Sequence, residues 1–173
     1  MKTQESIRLT QEAITQALFQ IMEKKDYEKI SMTEIAEKAG VSRATLYRYY
    51  VTKPDIIKSY FQHHMESFSR IFQHRPHGQD DYYEQVFTAF QYLKQEQNVF
   101  KCLIKAGLEQ YYLDFLNEKL AKDLAVHFNL KGITAYHIAG SLYNVSLQWV
   151  KSGCQESVRK IADEYFSLLF PKR

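Results

Sequence analysis

The sequence predicts an all-α protein of about nine helices, with a three-helix N-terminal unit followed by a larger helical unit. Three observations carry this expectation. Glycine and proline are scarce, 6 and 3 in 173 residues, so few points break a helix. The alternation of β-branched residues that marks strands is absent, and apolar residues recur at helical spacing instead. Capping residues and glycines cut the chain into pieces of helical length.

The elements follow in order. Ile7, Ile14, Leu18 and Ile21 share one face of a first helix, roughly Gln4 to Glu23, which Lys24-Lys25-Asp26-Tyr27 breaks. Two short helices occupy the stretch from Ser31 to Tyr50. A long helix follows Pro54, with Ile57, Phe61, Met65, Phe68 and Phe72 on one stripe. His74-Arg75-Pro76-His77-Gly78 reads as a linker. Asp81-x-x-Glu84 reads as a capping box that opens the next helix, carrying Phe87, Phe90 and Leu93. Asn98 is placed as the cap of a short helix that stops at Gly107. A further helix spans about Leu108 to Phe128 and ends at Lys131-Gly132. The last two lie near Thr134–Lys151 and Glu156–Phe170, either side of Ser152-Gly153. This divides the chain into residues 1–52, a linking helix 53–73, and a helical unit 74–173.

Composition narrows the function classes. With 45% hydrophobic residues the chain is not disordered. No apolar run approaches the 18 residues of a membrane span, and the polar N-terminus has no apolar signal segment, so a cytoplasmic protein without membrane contact is expected. Cys102 and Cys154 form no C-x-x-C pair and read as isolated buried thiols. The net charge of +3, from 23 basic and 20 acidic side chains, permits nucleic-acid binding without arguing for it.

The stretch from Ile30 to Ile57 carries the chemistry. Ser31 is placed as an N-cap with Glu34 reaching back, and Ile30 and Ile35 bracket it as a hydrophobic staple. Ser42 repeats the pattern between Val41 and Leu46, and Thr52 repeats it again with Asp55. Pro54 falls in the first turn of its helix, where a missing N–H costs nothing. Caps this close leave about two turns per helix, joined through Gly40, which tolerates a left-handed turn. Two short helices around a glycine turn are the helix-turn-helix plan. Helices this short need burial to persist, here of Ile35, Ala36, Ala39, Leu46 and Tyr50 against the first helix.

The second short helix crowds Arg43, Ala44, Thr45, Tyr47, Arg48 and Tyr49 together. Arg43 and Thr45 lie near its N-terminus, the end that meets base edges in a major groove. Arginine pairs with guanine O6 and N7, and threonine offers a hydroxyl or a methyl. Ala44 lets the backbone come close. Tyr47, Tyr49 and Lys53 are placed on phosphate oxygens, which position the helix without reading sequence. Ser42 and Arg48 complete the DNA-facing set.

The run T-E-I-A-E-K-A-G-V-S-R-A-T-L-Y-R-Y-Y-V-T-K-P-D-I, Thr33 to Ile56, closely resembles the DNA-binding domain of the tetracycline-repressor (TetR) family, with Tyr50 where that family often has Phe. The resemblance covers about residues 5 to 60. It implies an all-α transcriptional regulator of double-stranded DNA, repressing by default, with a three-helix reader and a helical domain that dimerises. Carried over by position, Thr33, Arg43, Ala44, Thr45, Tyr47, Tyr49 and Lys53 face DNA.

In the C-terminal half, Ala139 to Gly153 looks like the penultimate helix of short members of that family, whose last two helices pack against a second copy. The residues support this with doubled apolar stripes, from which Leu142, Tyr143, Val150, Ile161, Tyr165 and Leu168 are assigned to a homodimer interface. Phe61, Met65, Phe68, Phe87, Phe90, Tyr92, Phe100, Tyr111, Phe115 and Trp149 are candidates to line a pocket for a hydrophobic effector, roofed by the helices at Asp81–Gln95 and Leu108–Phe128. A packed core competes with this at each position.

His63, His64, His74 and His77 have no acidic or Cys companion at zinc-site spacing, so no metal is expected. Phosphate-loop, G-x-S-x-G and H-E-x-x-H motifs are absent, so neither an enzyme nor a cofactor is expected. The competing function is an architectural, nucleoid-type DNA binder of the same fold that answers to no small molecule. A helical adaptor with a lost DNA face is weighed down by the intact reader motif.

Overall fold

The structure, a computed structural model, describes residues 3–71, 78–127 and 132–169; the side chains of residues 64–69, 71, 123, 127 and 169 fall outside that description. Among the described residues there are nine α-helices and no strand, counting the abutting segments of residues 110–127 as one helix. The chain divides into two units, Met1–His63 and His64–Arg173, so the division falls within the fourth helix.

In the first unit, α1 (Gln4–Met22) opens at Thr3, whose hydroxyl accepts from the Ser6 N–H. A 3-10 turn (Tyr27–Lys29) leads to α2 (Met32–Lys38), α3 (Arg43–Tyr49) and α4 (Lys53–Ile71). Ile14 and Leu18 of α1, Ile35 of α2, Leu46 of α3, and Ile56 and Ile57 of α4 are all at 0% exposure, so every helix gives at least one fully buried aliphatic side chain to one core. Each is worth about 1.5–3 kcal/mol of transfer free energy. The buried face of α1 is broader than the stripe read from the sequence. Thr15, Ala17, Phe19 and Met22 are buried, whereas Ile7 and Ile21 are half-buried. The reason is packing from two sides: α2 lies on one, and Tyr60 of α4 meets Phe19 edge-on at 5.0 Å.

The turn between α2 and α3 has two closing hydrogen bonds. The Gly40 N–H donates to the Glu37 carbonyl and the Val41 N–H to the Ala36 carbonyl, the pair that ends a helix through a left-handed residue. Gly40 supplies that residue at φ +67°.

The second unit holds α5 (Gln79–Gln95), α6 (Gln97–Ala106), α7, α8 (Gly132–Lys151) and α9 (Val158–Leu169). Helix α7 runs through Gln110–Phe115, a π-helical turn at Leu116–Leu120, and Ala121–His127. Three sequence expectations shift here. α5 starts at Gln79 with Gly78 as its cap, so Asp81 is not a cap; Asp80 and Asp81 sit in the first turn, where carboxylates favour the helix dipole. Asn98 lies inside α6, which follows α5 after Glu96 with no side-chain cap, although Gly107 does end it at φ +67°. Gly132 begins α8 rather than closing the preceding helix.

Aromatic rings dominate this core. Phe90 meets Trp149 and Tyr165 edge-on at 5.8 and 5.5 Å, and Phe100 meets Tyr112 at 4.8 Å. Tyr83 joins α5 to α9, its hydroxyl donating to Asp163 Oδ1 at 2.6 Å and its ring edge-on to Phe166. Cys102 and Cys154 are both buried.

Gly40→Ala tests the turn on which the reader depends. A Cβ at Gly40 would meet nothing within 4 Å, so the cost is conformational alone. The variant should lose about 1 kcal/mol of stability in urea unfolding, the penalty of a left-handed alanine. Unchanged stability would mean that the turn relaxes.

Candidate nucleic-acid interface

Each short helix is started by a side chain. At α2 the Ser31 hydroxyl accepts from the Glu34 N–H at 3.2 Å while Glu34 Oε2 accepts from the Ser31 N–H at 2.9 Å, a complete capping box. Glu34 has a second partner that the sequence did not point to: Lys25 Nζ donates to its Oε1 at 2.5 Å, joining the end of α1 to the start of α2. The Lys25 ammonium, then the Ser31 N–H and hydroxyl, hold the Glu34 carboxyl at about 2, well below its ordinary 4.5.

At α3 the Ser42 hydroxyl accepts from the Thr45 N–H at 3.0 Å. The Ser42 hydroxyl also donates to Thr45 Oγ1, so Thr45 takes part in its own helix cap. At α4 only one half of the box is seen: Asp55 Oδ2 accepts from both the Thr52 hydroxyl and the Thr52 N–H at 2.8 Å. Those bonds, the hydroxyl first, lower the Asp55 pKa.

Helix α3 buries one residue fully, Leu46. Thr45 and Tyr49 are half-buried, and Ser42, Arg43, Ala44, Tyr47 and Arg48 are exposed. Positions 43, 44, 47 and 48 lie one turn apart in pairs, so two arginines, an alanine and a tyrosine share one solvent face. The Arg48 guanidinium stacks on the Tyr49 ring 5.0 Å from its centroid. Thr33, on α2, is half-buried.

Beyond α3, Tyr50 turns inward. It is 3% exposed, and its hydroxyl lies 2.8 Å from Ser59 Oγ on α4. A phenylalanine could not make this bond. Burial pushes the Tyr50 phenol above its ordinary pKa. Lys53, expected on phosphate, is half-buried, and its ammonium donates to the Tyr27 carbonyl at 2.6 Å.

Among the described residues, the effector candidates fall in both units. Phe61 is buried in the first unit beside Tyr60, and the side chains of Met65 and Phe68 lie outside the described residues. In the second unit Phe90, Phe100 and Trp149 are buried core, with Trp149 Nε1 donating to the Glu156 carbonyl, while Phe87, Tyr92, Tyr111 and Phe115 are half-buried. A void of about 10 Å³ does occur between α5, α7, α8 and α9, walled by Val86, Phe90, Leu120 and Leu142 with Tyr82 and Tyr165. It is about the size of one water, far below the several hundred Å³ of a ligand pocket.

The dimer candidates divide. Leu142, Val150 and Tyr165 are at most 5% exposed and serve the unit's own core, with the Tyr165 hydroxyl 2.9 Å from Ser141 Oγ. Tyr143 and Ile161 are half-buried, and Leu168 is 77% exposed. Two further apolar residues of α8, Ile133 and Tyr136, are exposed. The helical stripe pointed to the inward residues because periodicity does not say which of two apolar faces a neighbour already covers. The side chain of His64 and the whole of His74 and His77 lie outside the described residues, and His63 Nδ1 is hydrogen-bonded to Ser59.

The Glu34 network predicts an acid-sensitive reader. A carboxyl held below its unfolded pKa adds stability that is full above about pH 5 and lost as pH falls toward 2. Glu34→Gln should therefore melt below the parent at pH 7, and the two should converge near pH 2, as followed by circular dichroism. A constant offset across this range would assign the loss to the cap alone.

Comparison with known proteins agrees with this geometry. Residues 14–60 match the family model described as bacterial regulatory proteins, tetR family. An uncharacterized HTH-type transcriptional regulator, YxbF of Bacillus subtilis strain 168, is 24% identical over 172 residues; the match covers 92% of this chain and 44% of that protein, so the chain spans less than half of its relative's length. Among solved structures, Lin0861 from Listeria innocua has a TM-score of 0.78 at 15% identity, covering 98% of this chain and 93% of that one. The regulator FadR from Bacillus subtilis, solved in complex with stearoyl-CoA, has a TM-score of 0.64 at 18% identity, covering 92% and 97%. Both structural likenesses are of fold. With the helix-turn-helix geometry and the matched residues coinciding, residues 14–60 are the part of this chain that is similar to the tetR family of bacterial regulatory proteins.

Proposed function

We propose that this chain is a cytoplasmic transcriptional regulator that binds duplex DNA as a homodimer, reads a pseudo-palindromic operator through α3, and represses by occupying a promoter. The observation that carries the reading is the solvent face of α3. Arg43, Ala44, Tyr47 and Arg48 are exposed together on a helix that is anchored by Leu46 and capped by Ser42. Arg43, at the first position of the helix, suits a bidentate bond to guanine, and Ala44 beside it admits close approach. Thr45 keeps its methyl for a base although its hydroxyl oxygen accepts from Ser42. Tyr47, Arg48 and Tyr49 supply donors for phosphate oxygens on either side.

Dimer formation is supported by apolar exposure on the last two helices. Ile133 is 87%, Leu168 77% and Tyr136 53% exposed, more than solvent contact alone favours for such side chains. Tyr143 and Ile161 complete the assigned surface. A two-fold pair would place its recognition helices about 34–36 Å apart, or a multiple of that.

A hydrophobic effector that binds the DNA-incompetent arrangement better would shift the population toward it. The void of about 10 Å³ between α5, α7, α8 and α9 is too small for such a molecule, which would bind elsewhere or in an expanded conformation. The edge-on ring packing in the second unit favours a second reading, a DNA binder without an effector. A panel of fatty acids and acyl-CoA thioesters separates the two: a thermal shift that also releases DNA supports the effector, and no shift supports the ligand-free regulator.

The function is tested by footprinting on fragments selected from the source genome. Two protected half-sites one turn or more apart are expected, and a single half-site held by a monomer would remove the dimer. Arg43→Ala should cost about 1–3 kcal/mol on the selected site and relax preference at one base pair.

Ile133→Glu and Leu168→Glu should each yield folded monomers in sedimentation, because an unpaired buried charge costs several kcal/mol and a two-fold interface counts it twice. An undisturbed dimer in both would place the interface elsewhere.

A further inference from the structure

The geometry points to Lys53 as a positioning residue for the recognition helix rather than a phosphate contact. Lys53 opens α4, directly beyond the Tyr50–Thr52 link from α3, where a cation could face a DNA backbone. Its side chain is instead engaged within the protein. The ammonium donates to the Tyr27 carbonyl at 2.6 Å, reaches the Glu28 carbonyl at 3.5 Å, and lies 4.3 Å from the centroid of the Tyr27 ring.

The site on which it rests is well built. Tyr27 is 8% exposed, and its carbonyl also accepts the Ile30 N–H that closes the 3-10 turn. That oxygen therefore uses both of its lone pairs, one within the turn and one toward a residue 26 positions away. The carbonyl end of a helical turn is also where a cation is most favourable. A charge-assisted bond of this length is among the stronger hydrogen bonds a side chain makes, and a phosphate would have to displace it.

The consequence falls on α3. The three residues between α3 and α4 run between two anchored points. At one end the Tyr50 hydroxyl is bonded to Ser59; at the other Lys53 is bonded to the turn after α1. Lys53 thus sets the angle at which α3 presents Arg43 and Thr45, and does so through α4. A residue of this kind changes how well the cognate site is preferred over random DNA. A phosphate contact instead weakens both alike and carries about one released counterion.

This inference rests on the reading of α3 as the DNA-reading helix, and the experiment separates the two. Affinities of the full chain for its selected duplex and for a random duplex are measured from low to moderate salt, in the parent, Lys53→Met and Lys53→Gln. Lys53→Met should lower the cognate-to-random preference about tenfold, the scale of one charged hydrogen bond, with the salt slope unchanged within about half a unit. Lys53→Gln, which keeps an N–H for the carbonyl without the charge, should recover most of that preference. Should Lys53→Met fail to fold by its helical signal, Lys53→Gln decides alone through its retained preference and unchanged slope. A slope smaller by about one in either variant, with cognate and random DNA weakened equally, would return Lys53 to the phosphate and overturn the inference. A parent chain that binds no duplex at any salt overturns both the inference and the reading beneath it.

Discussion

Helices α2 and α3 have seven residues each, and seven residues do not hold a helix in water. Leu46, the one side chain that α3 buries completely, meets this constraint. Its burial, like that of Ile35, Ile14 and Leu18, ties α3 to the core of the first unit, and a single fully buried position leaves Arg43, Ala44, Tyr47 and Arg48 exposed. A longer helix with two or three buried turns would have had fewer residues to offer to a partner. The same economy explains why the helix starts are so heavily capped. With little packing per helix, each orphaned N–H that Ser31 or Ser42 satisfies is a large share of what keeps the element in place.

Polar ties add direction to that apolar anchor. Lys25 to Glu34, Tyr50 to Ser59 and Lys53 to Tyr27 join α1 to α2, the end of α3 to α4, and α4 to the turn after α1. Hydrophobic contact is non-directional and would accept small rotations of a two-turn helix. Hydrogen bonds at 2.5 to 2.8 Å fix those rotations. The proposed contact of an α3 arginine with a base edge depends on that angular definition.

The second unit is organised differently. Its rings meet edge-on across helices, Phe90 to Trp149 and Tyr165, Phe100 to Tyr112. Hydroxyls in this core are bonded across helices, Tyr112 to Ser146 and Tyr165 to Ser141. An abundance of aromatic residues is therefore compatible with a closed core. Ring count alone does not distinguish a pocket wall from packing, because the same quadrupole that favours a ligand's ring favours a neighbour's.

By itself the sequence determined the helical class, the order of the elements, two of the three caps in the reader with their bonding partners, the glycine at the left-handed turn, and the face of α3 that meets solvent. All of these are local: a cap reaches three residues, a helical face repeats within seven, and a left-handed turn needs one residue type. Tertiary structure alone decided what distance in the chain conceals. It took Lys53 from an assumed surface to the Tyr27 carbonyl, 26 residues back. It used Leu142, Val150 and Tyr165 inside the second unit and left Ile133, Tyr136 and Leu168 exposed. It also placed Phe61 in the core of the first unit and Phe90, Phe100 and Trp149 in that of the second. The physical reason is common to all three. Periodicity reports that a face is apolar, and composition that a side chain is charged or aromatic, but which neighbour satisfies it is set only when distant helices pack.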